Sequence, residues 1–192
     1  MARVQNNTGQ TLSSVTVAFD YEKYRNGNTT CNMTFFYSTN GSTWTAVSGG
    51  NHTYASDGNI NLTSGAPVTT SKSVSITGLN IADGSDIYFR WSYASVGGSN
   101  AHGIGIDNFT ITGCRTLSAS VASNNSPICS GSNAVFTITG TANATVTYNI
   151  NGGSSQTVTL NGSGNGTVTI TGATVDQVLN FVSISEGGCS QN

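Results

Sequence analysis

Val15, Val17, Phe19 and Tyr21 alternate with Thr16, Ala18 and Asp20. Alternation with period two predicts a strand with one face buried. The rhythm returns in Met33, Phe35 and Tyr37, in Ser73–Leu79 with Val74 and Ile76 inward, and in Ile87, Phe89, Trp91 and Tyr93. Asn40-Gly41 separates the Met33–Tyr37 run from a return strand over Thr43–Val47, and Asn-Gly between alternating runs is a strong hairpin signal. Residues 5–10 read as a turn. Residues 48–70 read as a long Gly/Ser/Asn loop holding His52 and Tyr54, and residues 94–103 as a second Gly-rich loop. No stretch carries a helical period, so the elements are antiparallel strands joined by turns.

One stretch breaks the rhythm. Ile104 and Ile106 alternate on even positions, Phe109 and Ile111 on odd ones. A one-residue slip turns every following side chain to the opposite face, so a β-bulge near Asp107-Asn108 is expected to absorb it. Asp107 and His102 are the chemically distinctive residues at this rim. They are candidates for a site there. They also suit plain loop roles, with Asp107 accepting backbone N–H groups and His102 solvated. A catalytic histidine needs an orienting partner and a reacting group within reach, and no spacing here supplies either.

The composition changes at Gly113-Cys114. Of the 16 Trp, Tyr and Phe residues, only Phe136, Tyr148 and Phe181 lie beyond this point, and no Lys or Arg follows Arg115. Strands are expected near 117–121, 134–139, 145–150, 156–160, 166–170 and 178–184, with turns at Asn151-Gly152-Gly153 and Asn161-Gly162. Short strands at this spacing predict a small immunoglobulin-like sandwich. The expected fold is all-β, two antiparallel β-sandwich domains over residues 1–113 and 114–192.

Charge is sparse, with 6 basic and 8 acidic residues among 192. That gives no electrostatic footprint for nucleic acid. No long apolar run predicts membrane insertion. The carboxylate pairs Asp20/Glu22 and Asp83/Asp86 sit too close to turns to frame a hydrolytic cleft. No catalytic constellation emerges, and the chain reads as a non-enzyme. Calcium needs six to eight oxygens; Asp83, Asp86 and Asp107 are its candidate ligands, and the sequence does not favour it, nor any other cofactor. Exposed aromatics can stack on sugar rings, which makes Tyr24, Trp44, Tyr54 and Tyr93 candidate glycan contacts. Core packing is the competing reading for Trp44 and Tyr93.

Cys31, Cys114, Cys129 and Cys189 are widely spaced, without the short spacing of a zinc site. Disulfides in an oxidising compartment are expected. The small second core calls for a staple. A Cys129–Cys189 bond would close its loop for roughly 4 kcal/mol, leaving Cys31–Cys114 as the other pair.

The stretches NNTGQTLSSVTVAFDYEKYRNG, MTFFYSTNGSTWTAV, SITGLNIADGSDIYFRWSYA and HGIGIDNFTITG resemble a jelly-roll module of secreted multidomain proteins of the Bacteroidota. SPICSGSNAVFTITGTANATVTYNINGG and DQVLNFVSISEGGCS resemble the Ig-like, PKD-like repeats of the same surface proteins. The resemblance implies a non-catalytic adhesin or spacer segment outside the cell, with other chains or domains of the same surface protein as partners. A carbohydrate-binding module accessory to a secreted enzyme is the alternative. Asn108 and Ser99–Ala101 stand where such modules often carry acids, which weakens a metal site. The resemblance also places several strands ahead of this segment. Without them, the face formed by Val15, Val17, Phe19, Phe35 and Phe89 is expected to lie open and to draw another chain, or a second copy, onto an exposed strand edge.

Overall fold

The computed structural model describes residues 1–58, 61–62 and 65–192. It is all-β and folds as two compact units, Met1–Arg115 and Thr116–Asn192. The first carries β1 (Ala2–Gln5), β2 (Ser14–Arg25), β3 (Thr30–Ser38), β4 (Thr45–Ala46), β5 (His52–Tyr54), β6 (Val68–Ile76), β7 (Asp86–Val96) and β8 (Gly103–Cys114). One sheet runs β1-β7-β3-β4, with β5 also pairing β3; the other runs β6-β2-β8, and every pairing is antiparallel.

The odd positions of β2 form the inner face. Val15, Val17, Phe19 and Tyr21 are at most 1% exposed and meet Cys31, Met33, Phe35, Ile87 and Phe89 of the other sheet. Aromatic rings fill the centre: Phe19 lies 4.9 Å from Phe35 and 5.3 Å from Trp91, which in turn contacts Phe109 at 5.6 Å. Two sheets burying each other's inner faces make a β-sandwich. This corrects one expectation: Val15, Val17, Phe19, Phe35 and Phe89 are fully enclosed, and β2 lies between β6 and β8. Strands of the unit itself cover these five side chains.

Three strand assignments shift. β6 begins at Val68 because residues 15–23 of β2 each find a partner in residues 76–68. The expected 48–70 loop therefore shrinks, and it also contains β5; its residues 59, 60, 63 and 64 lie outside the described residues. Ala2–Gln5 pairs with Phe89–Asp86 as an unanticipated edge strand. The bulge is present: Ala18 faces Thr110 while Asp20 faces Asp107, so β8 carries one extra residue, and Asn108 takes up the irregularity at φ 52°.

The second unit carries β9 (Ala119–Asn124), β10 (Ser132–Gly140), β11 (Thr145–Ile150), β12 (Gln156–Thr159), β13 (Asn165–Ala173), β14 (Leu179–Glu186) and β15 (Cys189–Gln191). Its sheets run β13-β10-β9 and β12-β11-β14-β15, around a core of Phe136, Ile138, Val146, Tyr148, Leu160, Val168 and Ile184. In the β11–β12 connection, Asn151 and Gly152 both adopt positive φ, 53° and 72°, and the Gly153 N–H donates to the Ile150 carbonyl at 2.9 Å, closing a tight turn.

Both expected disulfides are wrong. The bond is Cys114–Cys189, and Cys31 and Cys129 are free thiols. The Leu117 N–H donates to the Gln191 side chain, so the chain segments just after Cys114 and just after Cys189 run together. Cys129 sits away on the exposed β9–β10 connection. Cys31 is sealed in the first core, its Sγ 3.7 Å from Met33 Sδ, and burial pushes its thiol pKa up.

Candidate functional site

His102 follows the loop between β7 and β8, and the structure buries it to 4% exposure. Its Nδ1 accepts the Gly27 N–H at 3.0 Å, and its Nε2 lies 3.1 Å from the Ala55 carbonyl. An N–H donor facing Nδ1 requires the Nε2–H tautomer, so Nε2 donates to Ala55. Both ring nitrogens are therefore engaged by backbone. Around them, Asn28 Oδ1 accepts the N–H groups of Ser99 and Asn100, and the Arg25 guanidinium donates to Ala101 O at 2.7 Å. Gly27 is required here, because a Cβ would stand 2.5 Å from the Ala101 carbonyl carbon. His102 is thus a buried clasp between three chain segments and not the solvated loop residue expected above.

Two aromatic candidates belong to the same knot. Tyr54 is buried at the end of β5, its ring 5.9 Å from that of His102 and 4.4 Å from that of His52. Its Oη has no hydrogen-bond partner among the described residues. Burial raises the Tyr54 phenol pKa. Tyr93 is 41% exposed, outside the core, and its hydroxyl donates to the His102 carbonyl at 3.1 Å.

Asp107 lies on the outer face of the β6-β2-β8 sheet, directly across from Asp20. Opposed like charges are destabilising, and the bulge residue relieves them. Asn108 donates its backbone N–H to Asp107 Oδ1 and its side-chain amide to Asp20 Oδ2, each at 2.7 Å. Hydrogen bonds from Ser71 and then Asn108 hold the Asp20 carboxyl below its ordinary range. Next along β2, Glu22 is only 6% exposed and accepts the Thr69 hydroxyl at 2.9 Å. Tyr24 follows, 48% exposed, its ring edge over Gly105. Asp83 accepts the Gly9 N–H, and Asp86 pairs with Arg3 at 2.7 Å. Among the described residues, no three His, Cys, Asp or Glu side chains are grouped, and Asp83, Asp86 and Asp107 are not brought together.

Trp44 stands elsewhere, on the outer face of the β1-β7-β3-β4 sheet. Phe36 and Arg90 oppose each other across β3 and β7, and the Arg90 guanidinium lies over both the Phe36 ring, at 4.6 Å, and the Trp44 ring, at 4.4 Å. Trp44 is half-buried by this stack rather than by the core. Phe36 and Arg90 escaped the sequence reading. Their signal was a large aromatic and a cation on the polar phase of strands whose other phase, Phe35, Phe89 and Trp91, fills the core.

The candidate residues therefore divide into a buried clasp, an acidic sheet face and an aromatic–cation stack. The architecture defines a class, an all-β chain of two antiparallel sandwich units. None of the family models, curated proteins or solved structures compared with this chain matches it.

Proposed function

We propose that this chain is a non-catalytic interaction and spacer segment of a larger secreted or surface-anchored protein. One observation carries this reading: His102, the side chain best suited to acid–base chemistry, is buried and engages backbone through both ring nitrogens. The Cys114–Cys189 bond suits an oxidising compartment. Low charge and faces of Thr, Ser and Asn suit an extracellular module that folds without a ligand. The test is turnover. Glycoside, ester and peptide substrate panels should give no rate above buffer. A rate abolished by Asp107→Asn or Glu22→Gln would overturn the proposal.

A second reading, glycan binding by the first unit, is favoured by one feature, the part-exposed stack of Phe36, Arg90 and Trp44 on an otherwise hydroxyl-rich sheet face. Aromatic faces with nearby polar groups suit sugar rings. Retention on insoluble polysaccharide separates this reading from a pure spacer.

A further inference from the structure

We propose that Arg90 is a carboxylate-binding site, and that its ligand is a polysaccharide containing uronic acid. This rests on the glycan reading and names the sugar class.

Arg90 is placed unlike the other arginines. Arg3 pairs with Asp86, Arg25 donates to Ala101 O and Arg115 to Gln10. Arg90 has no acidic partner and donates no hydrogen bond to any described residue; its Nε is buried and unbonded. Its contacts are the faces of Phe36 and Trp44. Guanidinium N–H groups lie in the plane of the group, so rings at its faces leave the Nη edge unused, while the buried Nε is closed to a ligand. A fixed planar fork matches the two oxygens of a carboxylate. Holding the fork between a strand residue and the Trp44 ring lowers the ordering cost on binding.

The surroundings select the class of molecule that brings the carboxylate. Beside the Phe36–Arg90 pair, Thr34 opposes Ser92, and beyond them Asn32 opposes Ala94, with the Thr53 hydroxyl donating to Asn32 Oδ1 at 2.9 Å. This strip offers hydroxyls and an amide beside the aromatic stack. Residues of one face recur about every 7 Å along a strand, a step that a chain of sugar rings can follow with its hydroxyls.

The experiment is an NMR titration of the intact chain with oligogalacturonate, with its methyl-esterified form, and with oligoglutamate. The uronate should shift the Trp44 indole, the Arg90 side chain, Thr34 and Ser92, leaving the second unit unmoved. Arg90→Gln should weaken binding at least about tenfold, and Arg90→Lys, a charge without the fork, should fall between. Equal affinity for the esterified form, or for the Arg90→Gln chain, overturns the carboxylate assignment and leaves glycan binding standing. Oligoglutamate binding as tightly as the uronate overturns the sugar assignment. No shift with any oligosaccharide removes both. If Arg90→Gln does not fold, the map of shifts in the unaltered chain, on or off these residues, decides.

Discussion

His102 shows how much a single ring can organise. Replacing it by Ala strips the Gly27 N–H and the Ala55 carbonyl of their partners inside a buried knot. Each stranded group costs on the order of 1–3 kcal/mol, so we expect His102→Ala to lose about 2–4 kcal/mol in denaturant unfolding of the first unit. Tyr54 runs the other way. Its hydroxyl is buried without a partner among the described residues, so Tyr54→Phe should be neutral or stabilising by about 1 kcal/mol; a clear loss in thermal unfolding would mean the hydroxyl is bonded after all. Asp20 gives the pH dependence. Its folded pKa is depressed by Ser71 and Asn108, so its contribution is complete above the unfolded value of about 4 and vanishes as pH falls through the folded one. A carboxyl NMR titration should place Asp20 below a free aspartate, and Asn108→Ala should move it back up. None of these partnerships was legible in the sequence. Gly27, Ala55 and His102 meet only because the sheets bring distant loops together, and no local pattern marks a glycine whose N–H will serve a histidine.

Elements were legible where one face is buried. β2, β3 and β7 announce themselves by alternation, and the phase change between Ile106 and Phe109 located the bulge. β1 and β5 could not be read, because the four residues of Ala2–Gln5 and the three of His52–Tyr54 are too few to show a period. β6 was misplaced because its first half, Val68–Lys72, lies on a sheet edge and carries polar residues on both faces. The bulge itself is testable. Asn108 holds φ 52°, a region that Asn and Gly enter readily and a β-branched residue does not. Asn108→Gly should cost little, while Asn108→Val should cost about 2 kcal/mol or more by chemical denaturation. Deleting Asn108 removes the register correction, turning either Phe109 and Ile111 or Ile104 and Ile106 to the wrong face, and should abolish folding of the first unit, read by loss of dispersed amide shifts.

At the scale of the whole molecule, the two-sandwich plan followed from strand spacing and the shift in composition at Gly113-Cys114. The disulfide did not. Cysteine positions give only a set of pairings, and choosing among them needed the knowledge that residues 117 and 191 lie together. The Cys114–Cys189 bond closes nearly the entire second unit into one covalent loop, worth about 4 kcal/mol of unfolded-state entropy. Reduction should therefore lower the melting temperature of the second unit and leave the first unchanged, while Cys129→Ser should alter neither. The same bond has a mechanical meaning. Tension applied between Met1 and Asn192 passes from Cys114 through sulfur to Cys189 and bypasses residues 115–188. In a single-molecule stretching experiment, the first unit should rip open while the second stays out of the line of force. Adding reductant should release a further extension on the order of 25 nm, the hidden length of a segment that carries no load until its bond is cut.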